Sequence, residues 1–127
     1  MGRRIIVIDD QVDIRNAFEL ALEDTDIEVD TADSGYVGID KLSRSPYDLV
    51  FLDLKMPGMN GIETLQAIRE KDSELPVYII TAFHKEFMED LNEAQDKGYD
   101  FELLRKPLEL DEIKNITCAI IDGYGTY

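Results

Sequence analysis

Short, almost continuous apolar runs alternate along the chain with stretches whose apolar residues recur at helical intervals. "RIIVI" (4 to 8), "IEVDTA" (27 to 32), "DLVFLDL" (48 to 54), "VYIIT" (77 to 81) and "FELLRK" (101 to 106) read as five strands. Between the first two, residues 11 to 24 set Val12, Ile14, Ala17, Phe18, Ala21 and Leu22 at helical spacing. Weaker patterns predict helices over 35 to 43, 61 to 71 and 84 to 97, and Leu110, Ile113, Ile116 and Ile120 predict a last one over 109 to 121. Parallel neighbours need crossover connections, and helical crossovers cover both faces of a sheet, so strict alternation with apolar central strands predicts a doubly wound α/β domain.

The punctuation between elements agrees. Asn60 can cap the third helix with Glu63 as its reciprocal partner, and Gly98 follows the fourth helix where a left-handed residue is wanted. No repeat, low-complexity tract or linker interrupts the pattern, so residues 1–127 are expected to form a single domain.

Composition narrows the function classes. Of 127 residues 44% are hydrophobic, enough for one core. Acidic residues outnumber basic ones 28 to 13, a formal charge of −15, which repels nucleic-acid phosphates and anionic lipid and argues against direct DNA binding. The apolar run Ile5 to Ile8 ends in two aspartates and is too short for a signal peptide or membrane span, so a cytoplasmic protein is expected. The one cysteine, Cys118, has no intrachain partner and its spacing in the last helix suggests packing.

In an open parallel sheet, ligands bind outside the carboxyl ends of the strands. Those ends here are Asp9 and Asp10, Asp53, Thr81, and Lys106 followed by Pro107. Singly they have ordinary explanations: Asp10 as a helix cap, Thr81 as a turn hydroxyl, Lys106 as a solvated end. Together, three carboxylates on one edge raise each other's pKa unless a cation sits between them. Oxygen donors without nearby Cys or His suit a hard ion, and Mg²⁺ with waters and a phosphate better than a caged Ca²⁺. Beside such an ion Asp53 can act as a nucleophile toward a phosphoryl group, with Thr81 and Lys106 on the transferred oxygens.

"IIVIDD", "DLVFLDLKMPGMNG", "VYIITA" and "RKP", in this order and near these spacings, resemble the receiver domain of bacterial two-component response regulators over essentially the whole chain. The resemblance implies a flavodoxin-like fold with strand order 2-1-3-4-5 and an aspartyl phosphate on Asp53, received from a histidine kinase or histidine phosphotransfer protein. It implies Mg²⁺ held by Asp10, Asp53 and the backbone carbonyl of Lys55, with Asp9 helping through a water. Thr81, Ala82 and Lys106 would bind the phosphoryl group, aimed by a cis peptide before Pro107. Beyond its own phosphoryl transfer and dephosphorylation, no enzymatic activity is implied.

The sequence departs from the family pattern in places. Leu103 stands three residues before Lys106, where receivers carry the Tyr or Phe of an aromatic switch, and Phe101 lies two residues earlier on the same strand face. Lys55 and Phe83 flank the path of the attacking water in this family, and Phe83 is expected to slow hydrolysis. His84, the one histidine, reads as a surface residue.

Taken as complete, the chain has only "DGYGTY" after its last helix, so its output is expected to be binding through the fourth helix, fifth strand and fifth helix, including a phosphorylation-dependent homodimer. A degenerate receiver acting as a constitutive interaction module is the competing reading. A dehalogenase-like phosphatase would need an aspartate where Lys55 stands, and a flavin phosphate would meet acids in "DDQVDIR".

Overall fold

The computed structural model of the chain describes residues 3–82 and 85–122. Five strands, β1 (Arg3–Ile8), β2 (Ile27–Ala32), β3 (Leu49–Asp53), β4 (Val77–Thr81) and β5 (Glu102–Arg105), alternate with five helices, α1 (Val12–Ala21), α2 (Gly35–Arg44), α3 (Gly61–Lys71), α4 (Met88–Asp96) and α5 (Leu110–Asp122). The sheet is parallel throughout and ordered β2-β1-β3-β4-β5, the flavodoxin-like arrangement expected.

Alternation along each strand divides the core in two. Ile6 and Ile8 of β1, Val50 and Leu52 of β3 and Ile79 of β4 face α3 and α4, with Leu65, Ile68, Leu91 and Ala94 packed on them and Leu42 of α2 at the margin. Ile5, Val7, Leu49, Phe51 and Ile80 face the other way, onto Phe18, Ala21 and Leu22 and onto Ile113 of α5. Every residue of β3 is buried, so its position at the centre follows from its unbroken apolar run. Each such side chain contributes about 1.5 to 3 kcal/mol of burial.

The expected caps form. Asn60 and Glu63 make the reciprocal capping box of α3, and Gly98 takes φ 84° just beyond α4. Cys118 packs against the α1/α5 side of the core.

Four details correct the sequence reading. Val12 and Leu110, placed on the apolar faces of their helices, are 54% and 41% exposed, because each is the first residue of its helix, ahead of Ile14 and Ile113, which pack on the core. Asp10 does not cap α1; Gln11 holds that position. The fourth helix starts at Met88, preceded by a single 3₁₀ turn over Lys85–Phe87. The fifth strand, although apolar at Leu103 and Leu104, is an edge strand and largely exposed. Phe83, His84 and the tail from 123 lie outside the described residues, and no helix among those described is long and apolar enough to cross a membrane.

Candidate functional site

Strand register brings the acidic residues together. Ile8 pairs with Leu52, so the next positions, Asp9 and Asp53, leave the sheet side by side at its C-terminal edge. Oxygens of Asp9, Asp10 and Asp53 all lie within 4.8 Å of one another. Asp9 is fully buried and Asp53 5% exposed, while Asp10 is open to solvent.

Backbone contacts fix these side chains. The amide of Leu54 donates to the Ile80 carbonyl (3.1 Å) and that of Gly61 donates back to the Leu54 carbonyl (2.8 Å), folding the β3–α3 loop tightly over the strand end. A Cβ on Gly61 would stand 2.5 Å from the Asp53 carbonyl oxygen, so the turn closes only around glycine. The amide of Gln11 donates to Asp9 Oδ1 (2.9 Å), and Arg15 donates to the Asp9 carbonyl (2.7 Å).

Lys106 completes the cluster from β5. Its amide donates to the Thr81 carbonyl (2.8 Å), its peptide bond to Pro107 is cis as expected, and its ammonium reaches Asp53 Oδ1 at 3.1 Å and Asp9 Oδ2 at 3.5 Å. It also donates to Gln11 Oε1 at 3.2 Å. Thr81 is buried at the end of β4, and exposed Ala82 lines an open cleft of about 490 Å³ together with Asp10, Gln11, Asp53, Lys55, Met56, Pro57 and Lys106.

The electrostatics are those of crowded, desolvated acids. Burial first, and then the charge of Asp9, push the Asp53 carboxyl up to about 6 against the opposing pull of Lys106. Asp9 is raised as well, chiefly by burial, although the Gln11 amide and Lys106 counter it. Asp9 Oδ2 has no hydrogen-bond partner, and the three carboxylates supply only oxygen. A buried acceptor left open, next to two further carboxylates, fits a hard divalent cation such as Mg²⁺.

Other expected residues sit apart from the cluster. Lys55 lines the cleft, but its ammonium lies 3.5 Å from Glu86 in the 3₁₀ turn. Leu103 pairs with Ile79 across β4 and β5 and is 44% exposed, so the position expected for a switch ring carries an open aliphatic side chain. Phe101 packs half-buried against the α3/α4 side of the core, the ordinary role. Sequence reading missed Gln11, Arg15 and Glu86. Only for Gln11 was there a signal, its place directly after the acidic pair.

Residues 5–117 match the family model described as the response regulator receiver domain. The chain is 35% identical over 109 residues to the response regulator ArlR of Staphylococcus epidermidis, an alignment covering 86% of this chain and 48% of that protein. It is 31% identical over 122 residues to the uncharacterized transcriptional regulatory protein YkoG of Bacillus subtilis, covering 96% and 52%. The chain thus spans about half the length of these curated relatives. Among solved structures, a response regulator receiver domain protein from Clostridium thermocellum superposes with TM-score 0.76 at 29% identity, covering 98% of each chain. The Vibrio cholerae chemotaxis protein CheY4, at 24% identity with TM-score 0.81 over 94% of this chain and 99% of its own, shares the fold.

Proposed function

The chain belongs to the response regulator receiver domain family, and from that premise we propose that it is a phosphorylation-dependent signalling switch whose acceptor is Asp53. The observation that carries this reading is the convergence of Lys106 and three carboxylates, two of which line one open cleft, at the C-terminal edge of the sheet.

In the transfer, an Asp53 carboxylate oxygen attacks phosphorus in line. A new P–O bond forms as the bond from phosphorus to the donor breaks, and the donor leaves with that electron pair. For a phosphohistidine of a kinase or phosphotransfer protein, the leaving imidazole takes a proton. Asp53 must be ionised to attack, and its raised carboxyl is still largely ionised at neutral pH. The Lys106 ammonium, already against Asp53, moves to the transferred oxygens and neutralises charge there, and the Thr81 hydroxyl and Ala82 amide would bind those oxygens as well. Asp9, Asp10, Asp53 and the Lys55 carbonyl would hold Mg²⁺. When bound, the ion would supply positive charge that offsets the carboxylates and the incoming phosphoryl group.

The aspartyl phosphate adds about −1.5 to −2 charges and strong acceptor oxygens. Drawing Thr81 and Lys106 toward them biases the loop after β4 and the surface of α4, β5 and α5. That surface passes the signal to a partner or to a second copy, in the cytoplasm. With its formal charge of −15 this chain itself is poorly suited to DNA, and any such output belongs to a fused domain like those of longer regulators.

A second reading, a constitutive interaction module, draws on the exposed Leu103 in place of a switch ring. Intact mass after incubation with Mg²⁺ and acetyl phosphate separates the two. Gain of one phosphoryl group, lost in Asp53→Ala, supports the switch. No gain in a folded, Mg²⁺-binding protein supports the module, and a gain in both proteins moves the acceptor elsewhere.

A further inference from the structure

Gln11 is the last residue of the β1–α1 junction, on the rim of the cleft. It is the N-cap of α1, with the extended backbone of that position (φ −93°, ψ 118°), yet its side chain makes no capping hydrogen bond. Ser, Thr, Asp or Asn would satisfy an open helix amide there; a Gln side chain is too long to fold back well. Its carboxamide instead reaches across to β5 and accepts from the Lys106 ammonium at 3.2 Å.

The chemistry of the contact fixes its orientation. An ammonium offers only donors, so the amide must present Oε1 to Lys106, which turns Nε2 away from it. Lys106 then faces three oxygens: Asp53 Oδ1 at 3.1 Å, Gln11 Oε1 at 3.2 Å and, as an ion pair without a hydrogen bond, Asp9 Oδ2 at 3.5 Å. Two of them belong to buried carboxylates, of which Asp53 lines the cleft, and the third to a neutral amide at its rim. Lysine is a point charge on a flexible stem, and without the rim acceptor only the two carboxylates would fix its ammonium. A neutral acceptor on the solvent side gives the ammonium a further partner without adding a fourth negative charge where an anionic phosphoryl group must arrive.

We propose that Gln11 is a positioning residue for Lys106: it forgoes capping α1 and gives the ammonium beside Asp53 a further, solvent-side acceptor that aims it toward the oxygens of an incoming phosphoryl group. The inference rests on the phosphoryl-acceptor reading above. It assigns Gln11 no contact with the acidic cluster's cation and no part in bond-making.

Gln11→Ser tests it, because serine caps a helix but cannot span to Lys106. The full chain is examined by thermal unfolding, by phosphorylation with acetyl phosphate and Mg²⁺ followed by intact mass, and by ¹⁵N NMR of the Lys106 side chain without Mg²⁺ or phosphodonor. Expected are a higher unfolding temperature and a maximal phosphorylation rate about tenfold lower, with little change in half-saturating acetyl phosphate. The Lys106 Nζ resonance should shift and its protons exchange faster than in the wild type. Stability and rate moving in opposite directions is a result that a merely structural Gln11 would not give. An unchanged Nζ resonance, or a rate loss that only tracks lost stability, overturns the inference. Should the wild type take up no phosphoryl group, the switch reading fails, and the Nζ comparison alone still decides whether Gln11 holds Lys106.

Discussion

The Lys106 ammonium lies 3.1 Å from Asp53 Oδ1, yet the Asp53 carboxyl remains raised to about 6. One cation therefore does not offset burial together with two neighbouring carboxylates, and the site retains an unmet demand for positive charge.

That demand makes stability depend on pH. Asp53 binds its proton more tightly folded (about 6) than in its ordinary state (3.8), so below about 6 the folded protein takes up the proton first. Without divalent ions, stability should rise as pH falls from neutral through about 6 toward 3.8, and the raised Asp9 acts in the same direction. Asp30, whose carboxyl is lowered, loses its contribution only below 3.8, outside this window. Asp53→Asn should flatten the rise and stabilise the neutral-pH protein by about 2 kcal/mol, checked by urea unfolding across pH.

Mg²⁺ should do at neutral pH what protons do in acid. Thermal unfolding temperature is expected to climb with Mg²⁺ concentration, by about 2.7 kcal/mol of stabilisation at a hundredfold excess over the dissociation constant. Below about pH 6 protons compete for Asp53, and the Mg²⁺ effect should shrink. An Asp53→Asn protein that responds to Mg²⁺ like the wild type would count against this site.

Lys106→Met should slow phosphorylation by acetyl phosphate about a hundredfold, in line with the loss of one aimed charge at the transferred oxygens. It also leaves Asp9 and Asp53 facing each other without their shared cation, so a lower unfolding temperature near neutral pH is expected. Mass spectrometry and a thermal melt read the two effects separately.

Gly61→Ala should destabilise the fold by about 2 kcal/mol, since its Cβ would meet backbone, the Asp53 carbonyl oxygen at 2.5 Å and Leu54 Cα at 2.7 Å, which has little room to yield. The shift falls on the residue carrying the acceptor, so phosphorylation should slow as well. Chemical denaturation measures the first effect and a phosphorylation time course the second.

Leu103 and Ile79 pair across β4 and β5, but only Ile79 is buried. Leu103→Ala should cost under about 1 kcal/mol and Ile79→Ala about 3 kcal/mol. Equal costs in urea unfolding would mean that the β5 face is covered in solution, for instance by a second copy of the chain.

The sequence by itself determined the architecture and the ingredients of the site. The apolar runs of β1, β3 and β4 and the helical spacing of Phe18, Leu65 and Leu91 follow from which residues must leave water, and burial obeys the same periodicities. Polar residues at the ends of those runs, Asp9, Asp53, Thr81 and Lys106, were legible because a sheet edge is the one place where such a strand can carry them. Tertiary structure decided what depends on distant parts of the chain. Val12 and Leu110 fit their helical faces but are exposed, because which turn of a helix is covered depends on where its neighbours end. Leu103 lies in an apolar strand yet stays open, because β5 is an edge. Gln11, a poor cap by local rules, finds its partner 95 residues away in sequence, because the all-parallel sheet puts the ends of β1 and β5 on the same edge and two long side chains span the strands between them. Local preference acts over a few residues, whereas the reach of a side chain to its partner is set only once the whole sheet has closed.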